Sequence, residues 1–171
     1  MNNGYGDLLT KQALELGAVN AVLFTPDDLV FDRRTLLKCM YGCGDWGKGP
    51  TCPSRPNNVS LDEYEKMLRL YHWGVIIHAH DKHTTQQASL KLEQRAFADG
   101  YYFAFSMSDC GLCKECVGLK GHPCANPKLA RPAFHSVGID VFATARKFHL
   151  PIHTLTEERQ EQNWYAAVFV E

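Results

Sequence analysis

Apolar residues recur along this chain with two different periods, and the alternation between them outlines the fold. In residues 5–18, Leu8, Leu9, Ala13, Leu14 and Leu16 fall at helical spacing and the run closes on Gly17, which predicts an opening helix. The apolar stretch "VNAVLFTP" (19–26) predicts a short strand ended by proline. Residues 60–72 begin with Ser60 and Glu63, a capping signature, and continue as a helix. "WGVIIHAH" (73–80) predicts a strand, 84–100 a second strong helix ending at Gly100, and "YYFAFSM" (101–107) another strand. Val141, Ala145 and Phe148 place one apolar face on a helix over 137–150, and "WYAAVFVE" (164–171) closes the chain as a strand.

Helices alternating with short strands predict an α/β or α+β fold, with a single sheet of about four to five strands flanked by helices and carrying two cysteine-rich metal-binding loops. The order of the strands is open at this level. Residues 32–58 combine glycines, prolines and three cysteines, and most of them read as loop ordered by whatever the cysteines bind.

With 171 residues and no linker, repeat or low-complexity tract, the expectation is one metal-binding domain over 1–171. A formal net charge of −1 and scattered basic residues give no bulk attraction to nucleic acid or membrane. No apolar run reaches the ~20 residues of a membrane helix. The first residues carry no charged region followed by an apolar core, so no signal peptide is expected and a cytoplasmic location follows. In a reducing compartment, seven cysteines, an odd number, argue against a disulfide framework.

Four of the seven lie in "CGLCKECVGLKGHPCANP", as Cys110, Cys113, Cys116 and Cys124. Two successive two-residue gaps wrap a short loop around a compact object while backbone N–H groups point inward. That suits a [4Fe-4S] cubane, in which several thiolates each meet a different iron. Zinc is the rival, although zinc ligands more often come as two separated pairs.

The other three are Cys39, Cys43 and Cys52, in "CMYGCGDWGKGPTCP". Gly42, Gly44, Gly47 and Gly49 allow tight turns and close approach to a cluster. Buried free thiols are the alternative, against which the surrounding glycines and charges argue. Two closed cubanes take four cysteines each, one more than the chain has. One cluster is therefore expected to carry an open iron, filled by water, substrate, a small thiol or another side chain.

The local grouping assigns Cys110, Cys113, Cys116 and Cys124 to one cluster and Cys39, Cys43 and Cys52 to the other. In two-cluster ferredoxins, however, the cysteine before proline serves the other cluster. Here that residue is Cys52, before Pro53, so an exchange of Cys52 and Cys124 stays open.

The segments "LKCMYGCGDWGKGPTCPSRP", "CGLCKECVGLKGHPCANPKLARP" and "VGIDVFATARK", in this order, resemble the predicted metal-binding protein family catalogued as domain of unknown function 2284. With their flanks they cover almost the whole chain. The resemblance implies a small stand-alone iron–sulfur protein of bacteria and archaea, many of them anaerobic, and implies no established reaction. Such chains often show two prolines after the third cysteine; here Pro53 is followed by Ser54.

His78, His80 and His83 fall within six residues, and His78 and His80 share one face of a strand. They could form a second metal site, although the wet end of a strand entering a turn is the favoured reading. His122 is a candidate to hydrogen-bond a cluster, and Asp45 or His135 to fill an open iron position. Lys48, Arg55, Lys128 and Arg131 could offset cluster charge or bind an anion, or simply be solvated. Tyr41 and Trp46 could shield a cluster from water or anchor their loop.

Three functions remain. The leading one is an electron carrier with two [4Fe-4S] clusters and an unidentified redox partner. Another is an enzyme whose open cluster iron binds a small-molecule substrate, and the third is a zinc-stabilised binding module.

Overall fold

The computed structural model describes residues 3–55, 58–157 and 160–171. Helix α1 (Asn3–Glu15) and strand β1 (Asn20–Phe24) are followed by α2 (Thr35–Gly42) and α3 (Leu61–Leu68). Then come β2 (Gly74–Ala79), α4 (Lys82–Ala98), β3 (Phe105–Ser108), α5 (Val141–Lys147) and β4 (Trp164–Phe169). The strands form one open sheet in the order β1-β2-β4-β3, with every pair antiparallel. Of the two classes left open above, the fold is therefore α+β.

Side chains alternate across a strand, and here both faces are covered. Val75, Ile77, Ala166 and Val168 pack with Leu9 and Ala13 of α1 and Ala88, Leu92 and Ala96 of α4. Ile76, Met107, Ala167 and Phe169 meet Phe134, Val137, Ile139 and Ala145 on the other face. All six positions of β2 are consequently buried. At its first residue, a Cβ on Gly74 would collide with the Val168 carbonyl oxygen and the Phe24 ring, so the close approach of β4 requires glycine there.

The helix starts follow from caps. Ser60 and Glu63 form the expected capping box on α3. The Asp81 carboxylate accepts from Thr84 N at 2.8 Å to begin α4, and that of Asp140 from Ala143 N at 3.0 Å to begin α5. The last helix is shorter than 137–150, because Phe134–Val137 forms a 3₁₀ turn and Gly138, at φ +93°, breaks the path into α5. The third strand begins only at Phe105, after a turn in which the Ala104 amide donates to Tyr101 O and Tyr102 and Phe103 stand exposed.

The largest difference from the sequence reading is α2, a helix inside the region read mostly as loop. Arg34 caps it without a side-chain hydrogen bond, and Cys39 is its one buried residue, so neither a cap nor an apolar stripe marks it in sequence. Long-range pairing holds it in place. Phe31 bridges Ile139, Asp32 N donates to Gly138 O at 2.8 Å, and Asp140 N donates to Val30 O at 2.8 Å. These bonds set α2 against the Phe134–Val137 turn. Among the described residues, no helix is long and apolar enough to cross a membrane.

Candidate metal centre

The first cysteine group is half helix and half loop. Cys39 lies on α2 and is buried, while Cys43 caps the same helix one turn later and is exposed. After it the chain turns back on itself, with Trp46 N donating to Cys43 O and Gly47 at φ +82°. Cys52 returns into this turn. Its sulfur accepts from Gly47 N at 3.4 Å and lies 3.0 Å from Ser54 Oγ. Arg55 donates to Pro50 O at 2.8 Å and closes the loop around it.

Strand β3 delivers the second group, with Asp109 and Cys110 directly after Ser108. The first turns of α4 hold this loop by its backbone. Gly111 N donates to Gln86 Oε1, and His83 Nδ1 lies 3.3 Å from Gly111 O. Cys116 caps the 3₁₀ turn Val117–Lys120, which ends at Gly121 with φ +85°. Asn126 Nδ2 donates to Cys113 Sγ at 3.2 Å, tying the segment after Cys124 back to the x2 loop.

The two groups pack on each other. Pro50 sits against Gly118 so closely that a Cβ there would lie 3.1 Å from Pro50 Cδ, and Cys116 Sγ lies 3.5 Å from the same point. All seven cysteines line one cavity of about 390 Å³. All seven are free thiols. Asp45, Trp46, Lys82, Asp109, Lys114 and His135 share its walls.

The electrostatics reflect this crowding. Burial, reinforced by Cys43, Cys52 and Asp109 nearby, pushes the Cys39 thiol up to about 11. Burial also acts upward on Cys52, but hydrogen bonds from Ser54 and Gly47, with the Arg55 charge, outweigh it and bring the thiol below its ordinary value. The Asp109 carboxyl is raised by burial, with His135 and Lys82 acting in the opposite sense. Thiols held protonated by burial and by their neighbours ionise most readily against a bound cation.

Of the other residues singled out by sequence, Asp45, Trp46 and His135 reach the cavity wall, whereas His122 and Tyr41 are exposed away from it. Lys48 bonds Gly44 O at 3.0 Å, and Lys128 offers its carbonyl to Arg131. Arg131 does not face the cavity; it pairs with Glu93 of α4. The histidines of 78–83 separate. His80 lies at the exposed strand end, as expected, and His83 supports the Gly111 loop. His78, by contrast, is fully buried between Asn20 Nδ2 at 2.9 Å and Asn163 Oδ1 at 2.8 Å, with its ring stacked on Tyr165. A strand covered on both faces leaves no wet side at that position. Among the described residues, no three histidine, cysteine or acidic side chains stand close enough to hold a single metal ion.

Sequence reasoning missed Asp109, Lys82, Lys114, Gln86 and Asn126. The position of Asp109, between a predicted strand and Cys110, was a usable signal; the others are brought in by tertiary packing. Gln86 is 1% exposed and its Nε2 has no partner among the described residues, while its Oε1 faces Gly111 N.

A helix-plus-loop and a strand-fed loop that gather seven free thiols define a thiol-lined centre suited to a thiophilic metal. The chain belongs to the family described as predicted metal-binding protein (DUF2284), whose model matches residues 22–170. No curated protein and no solved structure matches the sequence.

Proposed function

We propose that this chain is an iron–sulfur protein that holds two [4Fe-4S] clusters and passes single electrons to a redox partner. The observation that carries the reading is the gathering of all seven free thiols around one cavity from segments far apart in sequence. The Cys110-x2-Cys113-x2-Cys116 run adds the spacing of a cubane loop. In this reading Cys110, Cys113, Cys116 and Cys124 hold one cluster and Cys39, Cys43 and Cys52 the other, with Cys52 and Cys124 exchanging places in the variant assignment.

The donors already present fit such a group. Gly47 N and Asn126 Nδ2 point at cysteine sulfurs, and Gln86 Nε2, without a partner among the described residues, lies beside the second loop. Hydrogen bonds to sulfur favour the ionised thiolate and the reduced cluster. When bound, each cluster supplies a site that takes up and releases one electron. Lys82 and Lys114 on the cavity wall offset the thiolate charge, and Trp46 limits water access.

A second reading is supported by two non-cysteine donors on the same wall, Asp45 and His135. With seven thiols for two clusters, one iron is left for such a donor or for a small-molecule substrate. Protein purified without air should show broad visible absorbance that a strong reductant bleaches. Cyanide should then perturb the signal of one cluster only if the second reading holds. A colourless protein containing zinc, which unfolds when chelated, counts against both and points to a zinc-stabilised module.

A further inference from the structure

A second cavity, of about 540 Å³, adjoins the thiol-lined one and shares Asp109 and His135 with it as a common wall. Its volume lies within the ~300–1,000 Å³ of small-molecule sites. Much of its lining is apolar or aromatic, including Phe134, Val141, Phe142, Trp164 and Tyr165. No cysteine lines it. Phe134 and Tyr165 are buried in the core, which makes that part of the wall rigid.

One polar group in it is oriented from behind. His78, wholly buried, receives a hydrogen bond from Asn20 Nδ2 on its Nδ1 at 2.9 Å. Its Nε2–H therefore donates to Asn163 Oδ1, at 2.8 Å. Asn163 lines the cavity, and with its oxygen committed to His78 it turns its NH₂ outward. One of those hydrogens faces His153 Nδ1, 3.5 Å away. Among the described residues the other has no partner, and His153, once its Nδ1 faces Asn163, carries its own N–H on Nε2.

We propose that this cavity is a small-molecule site that takes a flat apolar or aromatic body bearing a carbonyl-type oxygen, which accepts hydrogen bonds from Asn163 and His153. The site stands on its own geometry and does not depend on which metal the cysteines hold.

The test titrates acetophenone, an acceptor on an aromatic ring, into the full chain as purified, followed by the three tryptophan indole resonances assigned through single Trp→Phe variants. Acetophenone should shift the Trp164 indole saturably and leave Trp73, buried on the opposite face of the sheet, unmoved. Ethylbenzene, which lacks the oxygen, should bind at least about ten-fold more weakly, the scale of one unmade hydrogen bond in a buried site. Asn163→Asp keeps the acceptor for His78 and loses the NH₂, and should weaken acetophenone by about the same factor. His153→Ala, at an exposed position, should weaken it several-fold with the Trp73 resonance unchanged. The proposal is overturned by no saturable shift at Trp164, by ethylbenzene binding as well as acetophenone, or by unchanged affinity in both variants. A shift confined to Trp46 would place the probe in the cysteine cavity and overturn it too. Every comparison is made at one and the same metal content, with and without probe, so failure here is distinct from failure of the iron–sulfur reading.

Discussion

Arg131 reaches from the segment after the second cysteine loop and grips Glu93 in the middle of α4, with only 14% and 15% of the two side chains exposed. The same carboxylate accepts from the Ser106 backbone N–H at 2.7 Å and from its hydroxyl, so helix, strand and loop meet at one anion. The metal centre thereby inherits the rigidity of the sheet.

Removing one partner of such a pair leaves a buried charge uncompensated. Arg131→Met should lower unfolding free energy by about 3 kcal/mol in urea titration, and Glu93→Gln, which keeps part of the bonding to Ser106, by less. Equal, negligible losses in both variants would show that the loop is not fastened here. Burial acts upward on the Glu93 carboxyl, but the bonds from Arg131 and Ser106 outweigh it and hold it below the ordinary value. Its contribution is complete above the usual carboxylate range and is lost as pH falls through the depressed folded value. Wild type should therefore lose more stability than Glu93→Gln as the solution is acidified below about pH 4.5.

His78 gives a pH dependence in a higher window. Burial lowers its proton affinity more than the bond to Asn163 raises it. The folded state thus holds the ring neutral, and stability declines as pH drops below the ordinary imidazole value of about 6.5. Thermal unfolding at pH 7.5 and 5.5 should show a larger drop for wild type than for His78→Gln. The same drop in both would assign the effect to other groups.

Gly118 is a close contact between the two cysteine loops. A Cβ there would stand 3.1 Å from Pro50 Cδ, which forces the loops apart by a few tenths of an ångström. Gly118→Ala should release metal to a chelator several-fold faster, with the urea midpoint of the rest of the fold little changed. An unaltered release rate would mean that this contact does not hold the centre together.

The sharing of cysteines between clusters is open to a direct comparison of Cys52→Ser with Cys124→Ser. In the local grouping, Cys124→Ser alters the signal of the cluster that Cys113→Ser also alters, and Cys52→Ser that of the other. In the exchanged assignment the two patterns swap. Magnetic resonance of the reduced variants separates the outcomes.

What was legible in the sequence follows the strength of each local signal. The capping box at Ser60 and Glu63, the stop at Gly100 and the apolar run of β2 all have local causes, and each appears at the expected place. Helix α2 was not legible, because long-range bonds to Gly138 and Asp140 position a segment with no cap or stripe of its own. For the site, the thiols could be named from spacing, and the structure sets all seven around one cavity. Lys82, Gln86 and Asn126 could not be found, because nothing local relates a residue of α4 or a turn asparagine to a cysteine loop. His78 reads as a strand-end histidine only until the sheet is seen to be covered on both faces.

The central claim is tested most directly by iron and sulfide analysis of protein prepared without air, combined with low-temperature electron paramagnetic resonance after reduction. Two [4Fe-4S] clusters predict about eight irons and eight sulfides per chain, with signals from two centres. Zinc in place of iron, with no sulfide and no cluster signal after reduction, would contradict it.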